Sequence, residues 1–294
     1  MSFIICKEVL IVTYLMSAIL GLVQGVAEFL PISSSGHLTL LQHFFGMEEP
    51  DQLFNILLHF ATLLAVCIYY FQDVLGMILE FFRGIAAMFS RQPGQGEPPE
   101  TRRLVFLVIV GTLPLFLILP VKKYVEGLGS SPVFVSFALL VTGCILFFSD
   151  RMASGRKTAR SATVKDVLLV GAAQGIATIP GLSRSGCTIS AGMALGFRRE
   201  FAVRYSFLMS LPAVFGATLL EVKDTLSAGS GIPDGMLPKY LLGMVIAGVV
   251  GYFAIRLVNL LADKGKFGAF AYYCWIAGAI FLVLSLLGVT FVHA

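Results

Sequence analysis

Residues 21–40 read "GLVQGVAEFLPISSSGHLTL", and residues 171–190 read "GAAQGIATIPGLSRSGCTIS". Aligned without gaps, the two stretches share Gly21/Gly171, Gln24/Gln174, Gly25/Gly175, Ala27/Ala177, Ser33/Ser183, Ser35/Ser185 and Gly36/Gly186, besides conservative apolar matches. A shared pattern of this length marks an internal duplication. Neither copy suits an ordinary membrane-spanning helix, because Pro, Gly and several hydroxyls fall where a continuous helix wants apolar residues. Each is expected to form a helix, a break and a second helix. Broken segments in both halves of an apolar chain point to a central site, since irregular backbone at membrane depth is tolerated where it lines a watery cavity.

The surrounding chain is greasy. Of its 294 residues 57% are hydrophobic and only 13% charged, which excludes an ordinary soluble domain. Apolar runs at 53–71, 104–121, 132–149, 201–220, 240–262 and 268–291 each approach the ~20 residues a helix needs to cross a bilayer. Backbone amides must be satisfied within each segment in lipid, and the Gly, Leu, Phe and Ala content without alternation favours helices over a barrel. The expected fold is therefore an all-α integral membrane protein, with six transmembrane helices plus two re-entrant helix pairs. Three spans per half is an odd number, so the second half enters the membrane from the opposite side and the internal repeat has inverted topology. Residues 1–150 form the first half with its re-entrant motif at 21–40, residues 151–294 the second with its motif at 171–190, and together they make a single membrane domain.

Orientation follows the basic residues in short loops. Arg91, Arg102, Arg103, Arg151, Arg156, Lys157, Arg160, Lys165, Lys264 and Lys266 fall in alternate connections, which are expected to be cytoplasmic. The opposite connections, 121–131 and 221–239, hold Lys122, Lys123, Lys223 and Lys239. Residues 73–90 place Asp73, Glu80 and Arg83 beside Leu, Met and Phe at near-helical spacing, the pattern of an amphipathic interfacial helix. The loop at 91–103 and the basic linker at 150–165 read as connectors. Five scattered cysteines show no ligand spacing and read as packing residues. The N-terminal run to Ser17-Ala18 imitates a secretory leader, a reading rejected because the following segment has its homologue deep in the chain. Nothing in the charge pattern suits nucleic acid.

The two motifs carry different chemistry. Arg184 at membrane depth costs about 2.5–3.5 kcal/mol to insert and needs an anionic partner. Flanked by Ser183, Ser185 and the N-terminus of a helix beginning near Gly186, its guanidinium makes a cradle for phosphate oxygens. The competing reading is a structural ion pair between Arg184 and Glu28. In the first copy Glu28, Ser33, Ser34, Ser35 and His37 lie within ten residues. A carboxylate, hydroxyls and an imidazole can together activate a nucleophile, protonate a leaving oxygen or hold a divalent cation. Gln24 and Glu28 supply one amide and one carboxylate, enough for a weak, phosphate-assisted Mg²⁺ or Ca²⁺ site. His59, near Asn55 and Thr62, reads equally well as a cavity residue or a packed histidine, while His43 and His293 take no role.

These motifs resemble those of the bacterial undecaprenyl-pyrophosphate phosphatases, also described as bacitracin-resistance proteins, along nearly the whole chain. The first signature reads here "QGVAE", with Gln24 and Glu28, leading into "FLPISSSGH", and the second reads "PGLSRSGCT", Pro180 to Thr188. The resemblance implies an integral membrane phosphatase of the bacterial plasma membrane, acting on an isoprenyl diphosphate lipid. Its product would be undecaprenyl phosphate, recycled as the lipid carrier of cell-wall synthesis. It further implies six spans, two inverted re-entrant pairs, a site opening to the extracytoplasmic side, and a Mg²⁺ or Ca²⁺ cofactor. By position in the motifs Ser34 corresponds to the nucleophile, Glu28 and His37 to metal and acid/base residues, and Arg184 to the diphosphate clamp. Gln24, Ser33, Ser35, Ser183, Ser185 and Thr188 would be supporting substrate-binding groups. Many members have Glu where this chain has Gln24, which leaves Glu28 more of the metal-binding task.

Four questions stay open in the sequence. Inverted repeats with broken helices also suit a transporter or flippase of an anionic isoprenyl lipid, which needs no nucleophile. A phosphatidic-acid-type lipid phosphatase is suggested by "SSGH" but would want a histidine where Ser190 stands. Transfer through a phosphoserine or directly to water, and the oligomeric state, a homodimer included, are not fixed by residue pattern.

Overall fold

The computed structural model describes residues 13–45, 52–89, 99–152, 155–227, 235–264 and 267–289. The start of the leader-like segment, most of the 91–103 connector and His293 lie outside the described residues. Those residues form α-helices with a few 3-10 turns and no strand. Each repeat motif is a pair of short helices. In the first, α1 (Tyr14–Ala27) is capped by the Thr13 hydroxyl, and α2 (Ser34–Phe44) follows a break. At ~1.5 Å per residue, the 14 residues of α1 reach about 21 Å, short of the ~30 Å of a bilayer core.

Five stretches are long and apolar enough to cross a membrane, and a bent pair raises the number to six. The pair is α3 (Gln52–Tyr69) and α4 (Phe71–Phe89), which meet at 88°. Helix α4 covers the segment read as amphipathic, and it is held by ion pairs from Asp73 to Arg204 and from Glu80 to Arg83 and Arg102. The run at 104–121 is α-helical only in its first part, α5 (Glu100–Thr112). Two 3-10 turns, Leu113–Leu117 and Leu119–Val121, carry it on to α6 (Lys122–Gly127). Pro114 and Pro120, at the starts of those turns, have no N–H to continue an α-helical ladder. Then follow α7 (Pro132–Asp150), α8 (Val164–Ile176), α9 (Arg184–Ala194), α10 (Arg199–Ser227), α11 (Leu237–Asp263) and α12 (Gly268–Leu286).

The basic connections gather at one end of the bundle. Arg103 donates to the carbonyls of Ala159 and Ala162, both at 2.8 Å, Arg160 pairs with Glu100, and Arg199 pairs with Asp150, whose carboxylate also accepts the Phe267 amide. Helix α8 starts there, where Thr163 and Asp166 form a capping box and Lys157 pairs with Asp166. The chain leaves α9 at the same end, where Lys157 bridges to Phe197. At the other end, Ser17 of α1 donates to the Lys239 carbonyl and Gln42 of α2 donates to Asn55 at 2.8 Å.

The halves interlock through matching glycines. A methyl group on Gly21 of α1 would lie 2.5 Å from the Gly243 carbonyl of α11, and one on Gly171 of α8 would collide with the Gly111 carbonyl of α5. Small residues at these positions let backbones touch, the main source of helix association in lipid. Helix α1 of the first half thus packs on α11 of the second, and α8 of the second half on α5 of the first. Between the pairs the breaks abut: Gly36 faces Gly181, and Gly186 faces Pro31, with Gly181 and Pro31 at equivalent repeat positions. Helix α10 supplies much of the core, with Tyr205, Phe207, Leu208 and Met209 buried and the Phe29 ring edge-on to Phe207 at 5.5 Å.

Candidate active site

The two breaks end in helix starts of the same design. Ser33 caps α2 by accepting the Gly36 amide at 3.1 Å, and Ser183 caps α9 by accepting the Gly186 amide at 3.0 Å. The second of these helices begins at Arg184 rather than near Gly186. Both helices turn their first residues, Ser34 with Ser35 and Arg184 with Ser185, onto one cavity of about 550 Å³. Two helix N-termini aimed at one space favour an anion there, through unsatisfied amides and the positive ends of their dipoles.

Glu28, in the first break, is the centre of the polar end of that cavity. Its Oε1 accepts Arg184 Nη2 at 2.7 Å, and its Oε2 accepts the Ser34 hydroxyl at 2.6 Å and Gln24 Nε2 at 3.1 Å. His59 Nε2 stands 3.6 Å from the same Oε2. His59 Nδ1 lies 2.8 Å from the Asn55 carbonyl, which can only accept, so Nδ1 carries a proton and Nε2 is the ring nitrogen turned toward Glu28. The ion pair read as a structural alternative is therefore present, yet it leaves Arg184 Nη1 buried without a hydrogen-bond partner among the described residues. A guanidinium with a spare buried donor is poised to bind more than one carboxylate.

Of the residues singled out in the motifs, Glu28, Ser34, Ser35, Ser183, Arg184 and Ser185 line the cavity, and Gln24, Ser33, His37 and Thr188 do not. Gln24 reaches the site through Glu28. Ser33 donates to the Leu182 carbonyl at 3.1 Å, and Thr188 is spent on the Arg184 carbonyl and Ser206, so both brace the breaks. His37 is turned away. Its Nδ1–H donates to the Ser33 carbonyl at 2.8 Å and its Nε2 accepts the Tyr273 hydroxyl at 2.9 Å, while the ring stacks on Tyr273 of α12. Proximity to Ser34 along the chain suggested a shared site, but the pull of α12 points the imidazole elsewhere. His59, left undecided by the sequence, occupies the position beside Glu28 instead.

Most of the rest of the cavity is apolar. Leu115, Phe116 and Leu119 of the 3-10 turns face Ala213, Ala217 and Leu220 of the second half of α10, and Lys122 stands on the lining beyond them. These residues lie on the parts of α5–α6 and α10 remote from the basic end. An apolar channel ending in cationic, acidic and hydroxyl groups fits a ligand with a greasy body and an anionic head.

Fold and site together define a multi-pass membrane protein with a polar site at the end of an apolar cavity. The match to known proteins is specific. The chain belongs to the bacitracin resistance protein BacA family, whose model matches residues 17–280. A protein named undecaprenyl-diphosphatase from Halothermothrix orenii is 40% identical over 267 residues, covering 90% of this chain and 96% of the relative. Proteins of the same name from Methanosphaera stadtmanae and Carboxydothermus hydrogenoformans are each 39% identical, covering 92% of this chain and 98% and 97% of theirs.

Proposed function

We propose that the protein is an integral membrane phosphatase that hydrolyses undecaprenyl diphosphate to undecaprenyl phosphate and inorganic phosphate, and so confers bacitracin resistance. Family membership and the names of its relatives support the reaction. The observation that carries the mechanism is the Ser34–Glu28–Arg184 chain of hydrogen bonds at 2.6 and 2.7 Å. Ser34 Oγ is the nucleophile and Glu28 Oε2 the base that takes its proton. An arriving diphosphate competes with Glu28 for Arg184 and engages the spare Nη1, which frees the carboxylate for proton transfer. Ser34 Oγ bonds to the terminal phosphorus, the P–O–P bond breaks, and the lipid monophosphate departs with the bridging oxygen. Glu28 passes the Ser34 proton to the departing lipid phosphate, water then attacks the phosphoserine and gives its proton to Glu28 or His59 Nε2, and Ser34 Oγ takes that proton back as phosphate leaves.

A Mg²⁺ or Ca²⁺ ion fits this donor set only with the substrate's help. Among the described residues no three His, Cys, Asp or Glu side chains converge, but Glu28 is hydrogen-bonded to Gln24, whose own Oε1 is a buried acceptor without a partner. Those two oxygens would hold a hard cation whose remaining ligands are phosphate oxygens and water. Such an ion would neutralise charge on the diphosphate.

For the setting, we infer six spans and two re-entrant pairs of inverted topology in a bacterial inner membrane. Support comes from the opposite ends at which α1–α2 and α8–α9 begin and return. The basic end is cytoplasmic by charge, so the cavity, on the remote halves of α5–α6 and α10, opens to the extracytoplasmic side. Cysteines placed at 232 and 266 should react with an impermeant thiol reagent from outside and inside, respectively. Phosphate release from undecaprenyl diphosphate by the purified protein tests the reaction itself: Ser34→Ala should abolish turnover while keeping lipid binding. Turnover surviving that change would sink the nucleophile assignment, and lipid transport without phosphate release would favour a flippase. EDTA should lower the rate, and Mg²⁺ or Ca²⁺ should restore it.

A further inference from the structure

Gln174 is the repeat counterpart of Gln24, yet it is used differently. Gln24 donates to Glu28. Gln174 has Thr178 at the equivalent position one turn on, and the Thr178 hydroxyl is turned back to the Gly175 carbonyl at 2.7 Å. The Gln174 side chain is 1% exposed, and both its Nε2 and its Oε1 lack any hydrogen-bond partner among the described residues. A buried amide left unpaired costs about 1–3 kcal/mol, so a chain that keeps one at a cavity wall is keeping it for a ligand. Gln174, Ala177 and Thr178 share the face of α8 that lines the cavity. The neighbouring face carries Gly171 and Gly175, which pack on Pro114 and Ile118 of the turns that form the apolar wall. The amide therefore sits on the helix that joins the Arg184 break to the apolar channel.

We propose that Gln174 is a substrate-binding residue for the inner phosphate of the diphosphate, the one that stays on the lipid after cleavage. This rests on the phosphatase reading above. With Ser34 at the terminal phosphorus and the tail along the apolar turns, the inner phosphate falls between them. There the Gln174 Nε2–H₂ donates to a non-bridging oxygen and Oε1 accepts a hydrogen bond from water. The amide carries no charge, so it grips the monophosphate product without holding it as a second arginine would.

The test is steady-state kinetics of Gln174→Leu and Gln174→Met on undecaprenyl diphosphate, with inhibition by a prenyl monophosphate and, separately, by inorganic phosphate. KM and the inhibition constant for the prenyl monophosphate should both rise about tenfold, with kcat and inhibition by inorganic phosphate little changed. The thermal midpoint should hold or rise, because an unpaired amide has been replaced by an apolar group of similar size. Unchanged KM and product inhibition in active variants would overturn the proposal, leaving the amide a partner for structural water. A fall in kcat alone would overturn it too, since that places Gln174 at the terminal phosphate. Loss of folding in both variants would show a structural role and likewise overturn it. Inactive wild-type protein would instead defeat the phosphatase reading, so the two failures are distinguishable.

Discussion

The two repeat motifs share a backbone plan and divide the chemistry. Both break at a serine cap, and both press a glycine on the opposite break. At equivalent positions the first copy has Glu28, Ser34 and His37, and the second has Thr178, Arg184 and Cys187. Acid and hydroxyl stand on one side and the cation on the other. A symmetric scaffold thus builds an asymmetric site, because a nucleophile needs a base near it and an anion needs a cation facing it. Even the caps differ: Ser33 has φ 70° and Ser183 φ −83°. A left-handed serine costs about 1–3 kcal/mol, offset here by its bonds to Gly36, Leu182 and His37, and it occurs in the copy that holds Ser34, the proposed nucleophile.

The largest test of this division is chemical. Ser34→Ala should lower phosphate release by about 10³-fold or more, and Arg184→Lys by about 10²–10³-fold, since an ammonium cannot reproduce the fork. If the second copy only braced the first, Arg184→Lys would keep near-normal turnover. Next come the two histidines. His59→Ala should reduce kcat roughly 10²-fold and alter its pH profile. His37→Phe should instead lower the thermal midpoint by breaking the link to Tyr273, with kcat falling less than in His59→Ala. The reverse ranking in a rate and melting comparison would return His37 to the chemistry.

Packing makes the third test. Gly21→Leu and Gly171→Leu should each destabilise the protein by about 1–3 kcal/mol through overpacking, read as thermal midpoints in detergent. Equal losses mean that both cross-half contacts bear on the fold. The smallest effect concerns Asp166, which has no charged counterpart in the α1 cap at Thr13. Burial pushes its carboxyl up, but the Thr163 amide and the Lys157 ammonium pull harder, so it sits below the usual carboxylate range. That contribution is complete above the ordinary carboxylate range and is lost as pH falls through the lowered value. Asp166→Asn should therefore be less stable than the parent at pH 7 by about 1 kcal/mol of cap energy, and the gap should close as pH falls below the ordinary carboxylate range.

How much of this was legible depends on the range of the interactions. The helical membrane class and the two breaks could be read locally, as could Glu28, Ser34 and Arg184, because motif residues near a break have few other places to go. Interruption of the second span at Pro114 went unread, since the apolar run looks continuous by hydropathy. His59 could not be separated from a packed histidine, because its role depends on α3 lying beside the first break. Gln174 was visible as a repeat match and silent as a site, since what distinguishes it is the lack of a partner.

The amino-acid order alone determined that the chain enters lipid, where it must break, and which ionisable groups have to meet something. Solvent transfer and backbone hydrogen bonding set those limits residue by residue. Only the packed structure decided that Arg184 meets Glu28, that His59 and not His37 stands at their side, and that Gln174 is left unsatisfied. Each of those depends on helices far apart in the chain touching, and side-chain direction at such contacts is set by glycine-level fit between backbones that no local pattern encodes.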